Sequence, residues 1–588
     1  MSKLEALKQI TTKPRLAALL GVKAQTLTHV LYVLKPVTQY TGFTIPKKNG
    51  GTRNILSPSD KLKSLQSNLS NLLLDCIDEI NESKKKKYRY KHALSHGFVR
   101  GCSIMTNALL HLNKKNVLNI DLKDFFDSFN FGRVRGFFIK NNHFKLDPNI
   151  ATVIAQIACY ENKLPQGSPC SPVITNLITH SLDIRLASLA KKYSCTYSRY
   201  ADDITFSTRK SVFPRLVMGQ EESQFIIGKE LKSEIERAGF SINDKKTRIQ
   251  YKDSRQDVTG LIVNKKPNVK KEYWRTVKSQ CHLLFQTGAF IKKTVNGDVE
   301  GNINELNGQL NFIDQVDRFN RLREKPPLNS IFQIANHGNN TTPLLSGREK
   351  TFSRFLFYRL FYANIKPTIL CEGKTDNIYL KSVISILAEH YPKLANPKTK
   401  KNPYELLIQF VEYSKRTRFL LQLYGGSSYL SYFVSQFDKH HRYYKAPAPQ
   451  QPVIIVLDND SGSSSILSQL RKLDSVTAYP ATLKKDDYAK ANFIHVIHNL
   501  YIVLTPLNAK NEHTDIEYLF DDLIRLKPHN GKCFNTIDKR DEKVDLSKDA
   551  FANHIINAQK NTLNFDTLKP LLDRVVAAIS HYDSIKQS

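Results

Sequence analysis

The chain has 588 residues, of which 41% are hydrophobic, and its 87 Lys and Arg residues against 54 Asp and Glu residues give a formal net charge of +33. The length leaves room for roughly four domains, and so large an excess of positive charge predicts a polyanionic partner whose binding releases counterions. No apolar run reaches the roughly eighteen residues of a membrane span, and the eight cysteines include no Cys-x-x-Cys pair. These observations argue against a membrane protein, a zinc ribbon and a secreted disulfide scaffold, and we expect a reducing cytoplasm and no membrane partner.

The predicted elements begin with helices and one hairpin. Apolar residues at helical spacing predict small helices within residues 1–35 and a longer helix over 61–80. Between them, residues 44–56 have the pattern of a β-hairpin whose turn is Lys47-Lys48-Asn49-Gly50-Gly51. Later in the chain, the same helical spacing predicts a mostly helical stretch over 272–319.

A carboxylate motif, Tyr200-Ala201-Asp202-Asp203, lies between two runs of β-branched and aromatic residues that predict strands. Successive side chains of a strand point to opposite faces, so two adjacent carboxylates can serve one site only at a turn, where their charges need a cation. Asp121 ends another buried-type strand and is the natural third ligand. We therefore expect Asp121, Asp202 and Asp203 to hold two Mg²⁺ ions roughly 4 Å apart, which would activate a 3′-hydroxyl and stabilise a leaving pyrophosphate.

Five blocks of residues follow one another along the first half of the chain: Asp121 with Phe125 and Phe126, Pro165-Gln166-Gly167, Tyr200 to Asp203, Gly239-Phe240, and Lys245-Lys246-Thr247. In order and spacing the set resembles a reverse transcriptase, which implies a right-hand fold of fingers, palm and thumb that binds dNTPs. The resemblance implies that Phe126 excludes a ribose 2′-hydroxyl. Gln166 and Gly167 would bind the nucleotide, which Gly167 lets the backbone approach closely. Arg53 and Lys47 on the hairpin would clamp the triphosphate, for which the Arg fork is suited.

Two short signatures narrow this resemblance. Asn107-Ala108-Leu109-Leu110-His111 resembles the Asn-Ala-x-x-His signature of retron reverse transcriptases, and Val258-Thr259-Gly260 resembles their Val-Thr-Gly signature. The resemblance covers residues 1 to about 320 and implies a structured noncoding RNA that is both template and primer. Synthesis would start from the 2′-hydroxyl of an internal guanosine and give a branched RNA–DNA hybrid, msDNA. The implied RNA contacts are Asn107, His111, Val258, Thr259 and Gly260. A mobile-element or group II intron-like reverse transcriptase is the alternative.

A second group of acidic residues follows two buried-type strands in the C-terminal half. The first strand leads into Glu372, Gly373 and Asp376, and the second leads into Asp458 and Asp460. Acidic residues at the carboxyl ends of neighbouring parallel strands meet in the crevice where such sheets bind ligands. Asp458 and Asp460 also share one face of an extended backbone. The sequence therefore predicts an acidic cluster at one edge of a mostly parallel sheet.

With its Glu-Gly-x-x-Asp run, this group resembles a TOPRIM domain over roughly residues 365–520, as in topoisomerases, bacterial primases and overcoming-lysogenization-defect nucleases. Asp515-Ile516-Glu517-Tyr518 resembles a further acidic motif of the nuclease branch. A topoisomerase needs large additional domains and a primase usually brings a zinc module, whereas a nuclease needs only Mg²⁺ or Mn²⁺ and a positioned water. The resemblance implies catalytic ligands at Glu372, Asp458 and Asp460 and second-site metal ligands at Asp376 and Glu517. A TOPRIM domain that only binds nucleic acid is the open alternative.

The expected organisation is multidomain, α+β and α/β, with a right-hand reverse transcriptase followed by a TOPRIM domain. The predicted segments are fingers and palm 1–265, thumb 266–322, linker 323–364, TOPRIM nuclease domain 365–525 and helical extension 526–588. The linker is predicted from the many Pro, Gly and Asn residues near its start. We expect a bacterial cytoplasmic antiphage protein whose partners are its cognate noncoding RNA, the DNA copied from it, dNTPs and a nuclease target. A homo-oligomer stays open.

Overall fold

The computed structural model describes residues 2–46, 51–83, 93–221, 224–294, 297–324, 342–510, 512–535 and 544–587. The chain divides into two compact units, Met1–Lys271 and Glu272–Ser588. Each unit contains its own cluster of buried hydrophobic residues. The segment boundaries expected at residues 265, 322, 364 and 525 stay predictions, and part of the expected linker lies outside the described residues.

Membrane-spanning potential is confined to one bent pair of helices. Among the described residues, no single helix is both long and apolar enough to cross a bilayer. The segments Lys13–Leu19 and Ala24–Val33 meet the test only when taken together, across a bend of 108°. Leu16 and Leu27 on these segments are buried in the core of the first unit.

The first unit surrounds a five-stranded antiparallel sheet with helices. Its helices, including short 3-10 and π-helical turns, are Lys3–Lys8, Lys13–Leu19, Ala24–Thr28, His29–Val33, Pro36–Thr38, Asp60–Ser83, Ile104–Leu109, Phe126–Ser128, Phe131–Lys140, Pro148–Ala158, Ser171–Lys192 and Lys229–Arg237. The strands of the sheet are Cys195–Tyr200, Asp203–Thr208, Asn116–Lys123 and Ser241–Ile242 in spatial order, with Arg248–Tyr251 also paired to Asn116–Lys123. Two-stranded ribbons are formed by Tyr40–Pro46 with Thr52–Pro58, Met218–Glu221 with Gln224–Ile227, and Asp257–Val258 with Leu261–Ile262.

The central strand Asn116–Lys123 positions the first candidate site. Seven of its eight residues are buried, as expected for a strand covered on both faces. The long helix Ser171–Lys192 packs against the neighbouring strand Cys195–Tyr200. The expected helix over 61–80 is found as Asp60–Ser83. The two strands of the expected hairpin, Tyr40–Pro46 and Thr52–Pro58, pair in antiparallel register, whereas residues 47–50 of its turn lie outside the described residues.

The second unit contains a six-stranded mixed sheet and many helices. Its helices and short helical turns are Lys271–Thr287, Ile303–Arg321, Thr342–Leu344, Gly347–Phe357, Tyr358–Tyr362, Lys374–Ile386, Lys415–Leu421, Ser427–His441, Ser461–Ser463, Ser464–Leu470, Lys485–Lys490, Asp522–Arg525, Lys548–Ala550, Phe551–Asn557, Lys560–Thr562, Asp566–Leu568 and Lys569–Gln587. The spatial order of the sheet is Gln409–Phe410, Thr368–Cys371, Val453–Leu457, Leu500–Leu504, Phe493–Ile497 and Thr477–Tyr479. The first four strands are mutually parallel, and the last two join the sheet antiparallel.

Short ribbons complete the second unit: Ile291–Thr294 with Gly297–Glu300, Ala395–Asn396 with Glu405–Leu406, and Cys533–Phe534 with Asp545–Leu546. The first ribbon differs from the mostly helical stretch expected over 272–319. It separates the helices Lys271–Thr287 and Ile303–Arg321, and Gly297 takes a φ of +111° at its turn. A glycine at such a φ favours a hairpin turn over a continuous helix.

A buried cluster of charges joins three helices of the second unit. Arg416 donates to Asp314 at 2.7 Å and also hydrogen-bonds Glu349. Arg321 donates to Glu349 at 2.6 Å, and Glu349 is only 1% exposed. Helix Ile303–Arg321 is therefore tied by ion pairs to the segment that precedes the sheet.

Candidate active sites

The three aspartates expected at the first site come together. Asp121 and Asp203 lie on two paired strands, and Asp202 lies in the turn that leads into strand Asp203–Thr208. Asp121 and Asp203 are direct partners in the antiparallel register of Asn116–Lys123 with Asp203–Thr208. The Cβ atoms of such partners lie about 4.5–5.5 Å apart. Asp202 lies in the adjacent turn, where Ala201 has a φ of +56° and the carbonyl of Asp202 accepts a hydrogen bond from the Leu122 N–H at 3.0 Å. The turn thus directs adjacent carboxylates toward the strand that carries Asp121.

The charges of these aspartates are close enough to disturb one another. Burial and then the charges of Asp202 and Asp121 raise the pKa of Asp203 to about 6. Burial and then Asp121 also raise the pKa of Asp202, against which the positive charges of Lys246 and Arg53 act. Lys246 Nζ lies 2.9 and 3.0 Å from the two carboxylate oxygens of Asp121. Clustered carboxylate oxygens are the donors that Mg²⁺ prefers, so the donor set fits this ion.

The residues expected to bind the nucleotide border the same strands. Arg53 is exposed on strand Thr52–Pro58, and Lys47 lies outside the described residues. Phe126 is half-buried against Phe125, whose ring stacks on Phe240 at 5.6 Å. The nucleotide-binding roles expected of Arg53 and Phe126 stay predictions.

The Pro-Gln-Gly segment packs against the strand that carries Arg53. The carbonyl of Gln166 accepts a hydrogen bond from the Leu56 N–H at 2.8 Å. Gly167 has a φ of +124°, and a Cβ at this position would lie 2.4 Å from the carbonyl oxygen of Leu56. The close approach expected of Gly167 toward a nucleotide is therefore, in this structure, an approach to the hairpin strand.

The Asn-Ala-x-x-His signature forms a buried series of hydrogen bonds behind the antiparallel strands Cys195–Tyr200 and Asp203–Thr208, which we call the aspartate hairpin. His111 Nδ1 lies 2.7 Å from Ser207 Oγ, His111 Nε2 lies 2.8 Å from Ser198 Oγ, and Ser198 donates to Asn107 Oδ1 at 2.6 Å. Because the Ser198 proton goes to Asn107, Nε2 must carry the imidazole proton and Nδ1 must accept from Ser207. Burial lowers the pKa of His111 to about 3, which keeps the ring neutral.

The buried hydrogen bonds of Asn107 and His111 correct the expectation that these residues contact RNA. Asn107, His111 and Val258 were expected to contact RNA, but each is 0% exposed. A fully buried side chain cannot touch RNA in this structure, and these hydrogen bonds instead link helix Ile104–Leu109 to both strands of the aspartate hairpin. Thr259 and Gly260 form the turn after Val258, where Thr259 is half-buried, Gly260 is exposed, and both have positive φ. Thr259 donates to the carbonyl of Ile104 at 3.4 Å, so this turn is bound to the start of the helix that carries Asn107.

The second group of carboxylates lies at the expected edge of the six-stranded sheet. The structure confirms that strands Thr368–Cys371 and Val453–Leu457 are adjacent and parallel, so Glu372 and Asp458 leave the sheet at the same edge. Asp376, at the start of helix Lys374–Ile386, accepts from the Gly373 N–H at 2.8 Å.

Two further hydrogen bonds shape this edge. Asp458 accepts from the Ile516 N–H at 2.8 Å, which brings the Asp-Ile-Glu-Tyr segment and Glu517 alongside. Asp460 accepts from the Gly462 N–H at 2.8 Å in its own loop. The five expected carboxylates thus gather on segments at one end of the parallel strands.

The electrostatics of this second group are more extreme than those of the first. Burial and then the charges of Asp376 and Glu517 raise the pKa of Asp458 to about 8. Burial and then Asp460 raise the pKa of Glu372. Lys548 Nζ lies 2.9 Å from Glu517 Oε1, and Glu517 is fully buried. No sequence pattern indicated Lys548, since it lies far along the chain in a segment without a recognisable motif.

Neither group is a complete metal cage as it stands. Within the described ranges, no three His, Cys, Asp or Glu side chains are arranged closely enough to hold a metal ion. Both groups nevertheless offer oxygen donors whose mutual repulsion a divalent cation would relieve.

Comparison with known proteins defines the class of the first unit. Residues 45–273 match the family described as reverse transcriptase (RNA-dependent DNA polymerase). Among solved structures, telomerase from Candida albicans with a TWJ fragment of telomeric RNA is similar at 13% identity, over 46% of this chain and 52% of that chain, with a TM-score of 0.29.

Relatives refine this class. The Retron Mx162 reverse transcriptase of Myxococcus xanthus is 36% identical over 39% of this chain and 47% of its own length. The Retron Mx65 reverse transcriptase of the same organism is 31% identical over 54% of this chain and 71% of the relative. The Retron Ec86 reverse transcriptase of Escherichia coli is 34% identical over 42% of this chain and 70% of the relative. The match thus spans just under half of the first relative and about seven tenths of the others, and the chain belongs to the retron reverse transcriptases.

Proposed function

We propose that this chain copies a structured noncoding RNA into a branched RNA–DNA hybrid, msDNA, in the bacterial cytoplasm. We propose further that its second unit carries a TOPRIM nuclease that acts as the effector in antiphage defence. The first proposal rests chiefly on the cross-strand pairing of Asp121 with Asp203 beside the turn that holds Asp202. Family membership supports it.

The polymerase chemistry follows from the residues around the aspartate hairpin. Asp121, Asp202 and Asp203 would hold two Mg²⁺ ions, which when bound lower the pKa of the attacking hydroxyl and stabilise the leaving pyrophosphate. Arg53 would bind the triphosphate of the incoming dNTP in a bidentate manner. Phe126 would close the space that a ribose 2′-hydroxyl needs.

The RNA partner is supported by charge and by family. A formal charge of +33 favours a polyanion, and phosphate contacts supply most of such affinity. Thr259 and Gly260 at the accessible turn are the remaining signature residues that can touch RNA. Asn107 and His111 would support this turn and the aspartate hairpin from within the core.

The nuclease proposal rests on the carboxylates at the end of the parallel strands. Glu372, Asp458 and Asp460 would hold Mg²⁺ or Mn²⁺ at one position, with Asp376 and Glu517 at a second. Such an ion supplies a hydroxide-like nucleophile and stabilises a phosphorane-like charge. Lys548 would favour the ionised form of Glu517, since its positive charge opposes the rise that burial causes in the pKa of Glu517.

A second candidate role for this unit is nucleic-acid binding without cleavage. Burial raises the pKa of Asp458 to about 8, so its carboxyl holds a proton at neutral pH when no cation is bound, and this observation favours that role. The two roles differ in one measurable property, which is cleavage that requires a divalent cation.

A nuclease effector must be restrained in uninfected cells. The simplest restraint is the hybrid product itself, a polyanion bound to the same basic chain. Loss of reverse transcription should then release the nuclease, whereas it should leave the nuclease idle if the product is an activator.

The polymerase proposal is tested on the full chain expressed with the DNA that flanks its gene. Copurified nucleic acid is digested with RNase and run on a denaturing gel. The expected product is a short DNA that carries an RNase-resistant RNA nucleotide at its 5′ end. Absence of any such DNA would refute the proposal.

The nuclease proposal is tested by incubating the full chain with labelled DNA and RNA in Mg²⁺, in Mn²⁺ and in EDTA. Cleavage that EDTA abolishes supports the effector role. Tight binding without cleavage of any substrate supports the binding role.

A further inference from the structure

A fully buried ion pair lies directly beneath the turn that carries Asp202. Arg199 is 0% exposed and Asp183, on helix Ser171–Lys192, is 1% exposed. Arg199 Nε and Nη2 donate to the two carboxylate oxygens of Asp183 at 2.7 and 2.8 Å. Tyr197 also donates to Asp183 at 2.7 Å. Two of the guanidinium nitrogens are thus held by the Asp183 carboxylate, which fixes the orientation of the third nitrogen.

The remaining nitrogen of the guanidinium contacts the turn itself. Arg199 Nη1 donates to the carbonyl of Ala201 at 2.9 Å and to Asn176 Oδ1 at 3.2 Å. Ala201 has a φ of +56°, which is unfavourable for a residue with a Cβ. The carbonyl of Asp202 is taken by the Leu122 N–H. Both carbonyls of the turn therefore have a fixed donor, one from the central strand and one from Arg199.

The neighbouring chain segment leaves the turn little freedom. A Cβ at Gly97 would lie 2.7 Å from the Ala201 nitrogen, so the backbone of Gly97 packs directly against the turn. Asn176 Nδ2 donates to the Gly97 carbonyl at 2.6 Å, and the carbonyl of Arg199 accepts from the His96 N–H at 2.8 Å. The peptide between Ala201 and Asp202 is enclosed on this side, and its carbonyl points toward the guanidinium.

A buried ion pair is a poor source of stability, because desolvation of both groups cancels most of their attraction. Its value lies in geometry, since a planar guanidinium can bind a carboxylate and a carbonyl at fixed positions. Partners that orient metal ligands without touching the metal commonly change metal affinity or activity 10- to 100-fold.

We propose that the Arg199–Asp183 pair is a positioning element of the polymerase site, which holds the Ala201–Asp202 peptide so that the carboxylates of Asp202 and Asp203 point toward Asp121. This inference rests on the proposed role of these aspartates as ligands of the polymerase metal ions. Arg199 touches neither substrate nor metal and acts only through the turn.

The test measures how DNA synthesis on a primed template depends on Mg²⁺ concentration. Arg199→Lys retains the charge but cannot bind Asp183 and the Ala201 carbonyl together. The Mg²⁺ concentration for half-maximal synthesis should rise roughly tenfold or more, with the KM for dNTP changed less than about threefold. The matched control is Arg185→Lys on the same helix, whose pair with Glu234 at 2.6 Å does not reach the turn. Arg185→Lys should keep the wild-type Mg²⁺ dependence.

A double variant tests whether the Arg199–Asp183 pair orients the turn or only stabilises the fold. Replacing both partners of a buried ion pair with apolar residues is often neutral or stabilising, so Arg199→Met with Asp183→Leu is expected to fold. Its melting temperature should fall only modestly, because the Tyr197 hydroxyl loses its acceptor and the Ala201 carbonyl loses its donor. Its Mg²⁺ requirement, measured well below that melting temperature, should be raised as in Arg199→Lys. A wild-type Mg²⁺ requirement in the folded double variant overturns the proposal, and so does an equal shift in Arg185→Lys. If Asp202→Asn, with the pair intact, still synthesises DNA at the wild-type rate, the failure belongs to the proposed metal site and not to the pair.

Discussion

The two carboxylate groups are brought together by different backbone arrangements. The first places Asp121 and Asp203 opposite each other on antiparallel strands, whereas the second gathers carboxylates on segments at the end of parallel strands. The pKa of Asp203 rises to about 6, but that of Asp458 rises to about 8. The larger rise at Asp458 comes first from burial and then from the charges of Asp376 and Glu517. A bound cation would displace the proton of Asp458 and offset those charges, so it should change the second group more than the first.

The largest effect is expected at the first group. Asp202→Asn or Asp203→Asn should lower DNA synthesis by about a thousandfold or more, because one ligand charge is lost where transition-state charge develops. RNA binding should change less than about twofold, since it comes from the wider basic surface. Primer extension and filter binding with the same preparation give both quantities. Full-length hybrid DNA from either variant would show that these aspartates are not the ligands.

One control variant tests whether the loss is specific to the aspartates of the first group. Asp253→Asn changes an exposed aspartate of the same unit, and it should leave synthesis unaltered. A comparable loss in Asp253→Asn would mean that the assay responds to charge in general.

The second group should be separable from the first. Glu372→Ala should eliminate metal-dependent cleavage, phage protection and any cell toxicity, and leave hybrid DNA at its wild-type amount. The reason is that Glu372 lies in the second unit, whereas Asp121, Asp202 and Asp203 lie in the first. Plaque counts and gel quantification of hybrid DNA provide the measurements. Asp474→Asn, at a fully exposed position of the second unit, is the matched control. Continued protection of cells by Glu372→Ala would contradict the effector role.

The pH below which metal binding weakens should be about two units higher at the second group, because the pKa is about 6 at Asp203 and about 8 at Asp458. A carboxyl whose pKa is raised binds a proton below that pKa, and a metal ion must displace it. Metal affinity at the second group should therefore be greatest above pH 8 and fall about tenfold per unit as the pH drops through Asp458 titration. Calorimetry of the Asp202→Asn chain in buffers of different ionisation enthalpy measures the released proton near pH 7. Asp458→Asn should remove that release, and an affinity that is constant from pH 6 to 8 would refute the linkage.

The smallest effect concerns the buried series of hydrogen bonds behind the aspartate hairpin. His111→Gln should lower the free energy of unfolding by about 1–3 kcal/mol, because buried hydrogen-bond partners are left unsatisfied. It should reduce synthesis on the cognate RNA and on a generic primer–template by the same factor. Thr259→Ala, at the accessible turn, should instead impair the cognate RNA more. A selective loss on cognate RNA in His111→Gln would restore the direct RNA contact that burial argues against.

Sequence patterns predicted the positions of the strands well, but they predicted the surroundings of individual side chains poorly. The alternation of strands and acidic residues sufficed to predict that Glu372 and Asp458 share an edge and that Asp202 lies at a turn. Burial of His111 was not predicted, because the resemblance to the retron signature implied an RNA contact, although a lone histidine on a helix is more often a structural residue. Lys548 was missed because its pairing with Glu517 depends on how a distant segment folds back. The ribbon Ile291–Thr294 with Gly297–Glu300 was missed because helical spacing on both sides concealed one glycine turn.

The ion pairs among Asp314, Arg321, Glu349 and Arg416 bear on how genes of this organisation can be rearranged. Helix Ile303–Arg321 belongs to the second compact unit, although its sequence lies in the stretch that resembles a reverse transcriptase thumb. A recombination event within residues 325–341 would separate Asp314 from Arg416 and Arg321 from Glu349, and it would leave the buried carboxylate of Asp314 without its arginine. Exchange of the second unit between related genes should therefore occur upstream of Glu272, so that the helix is inherited together with the unit in which it packs.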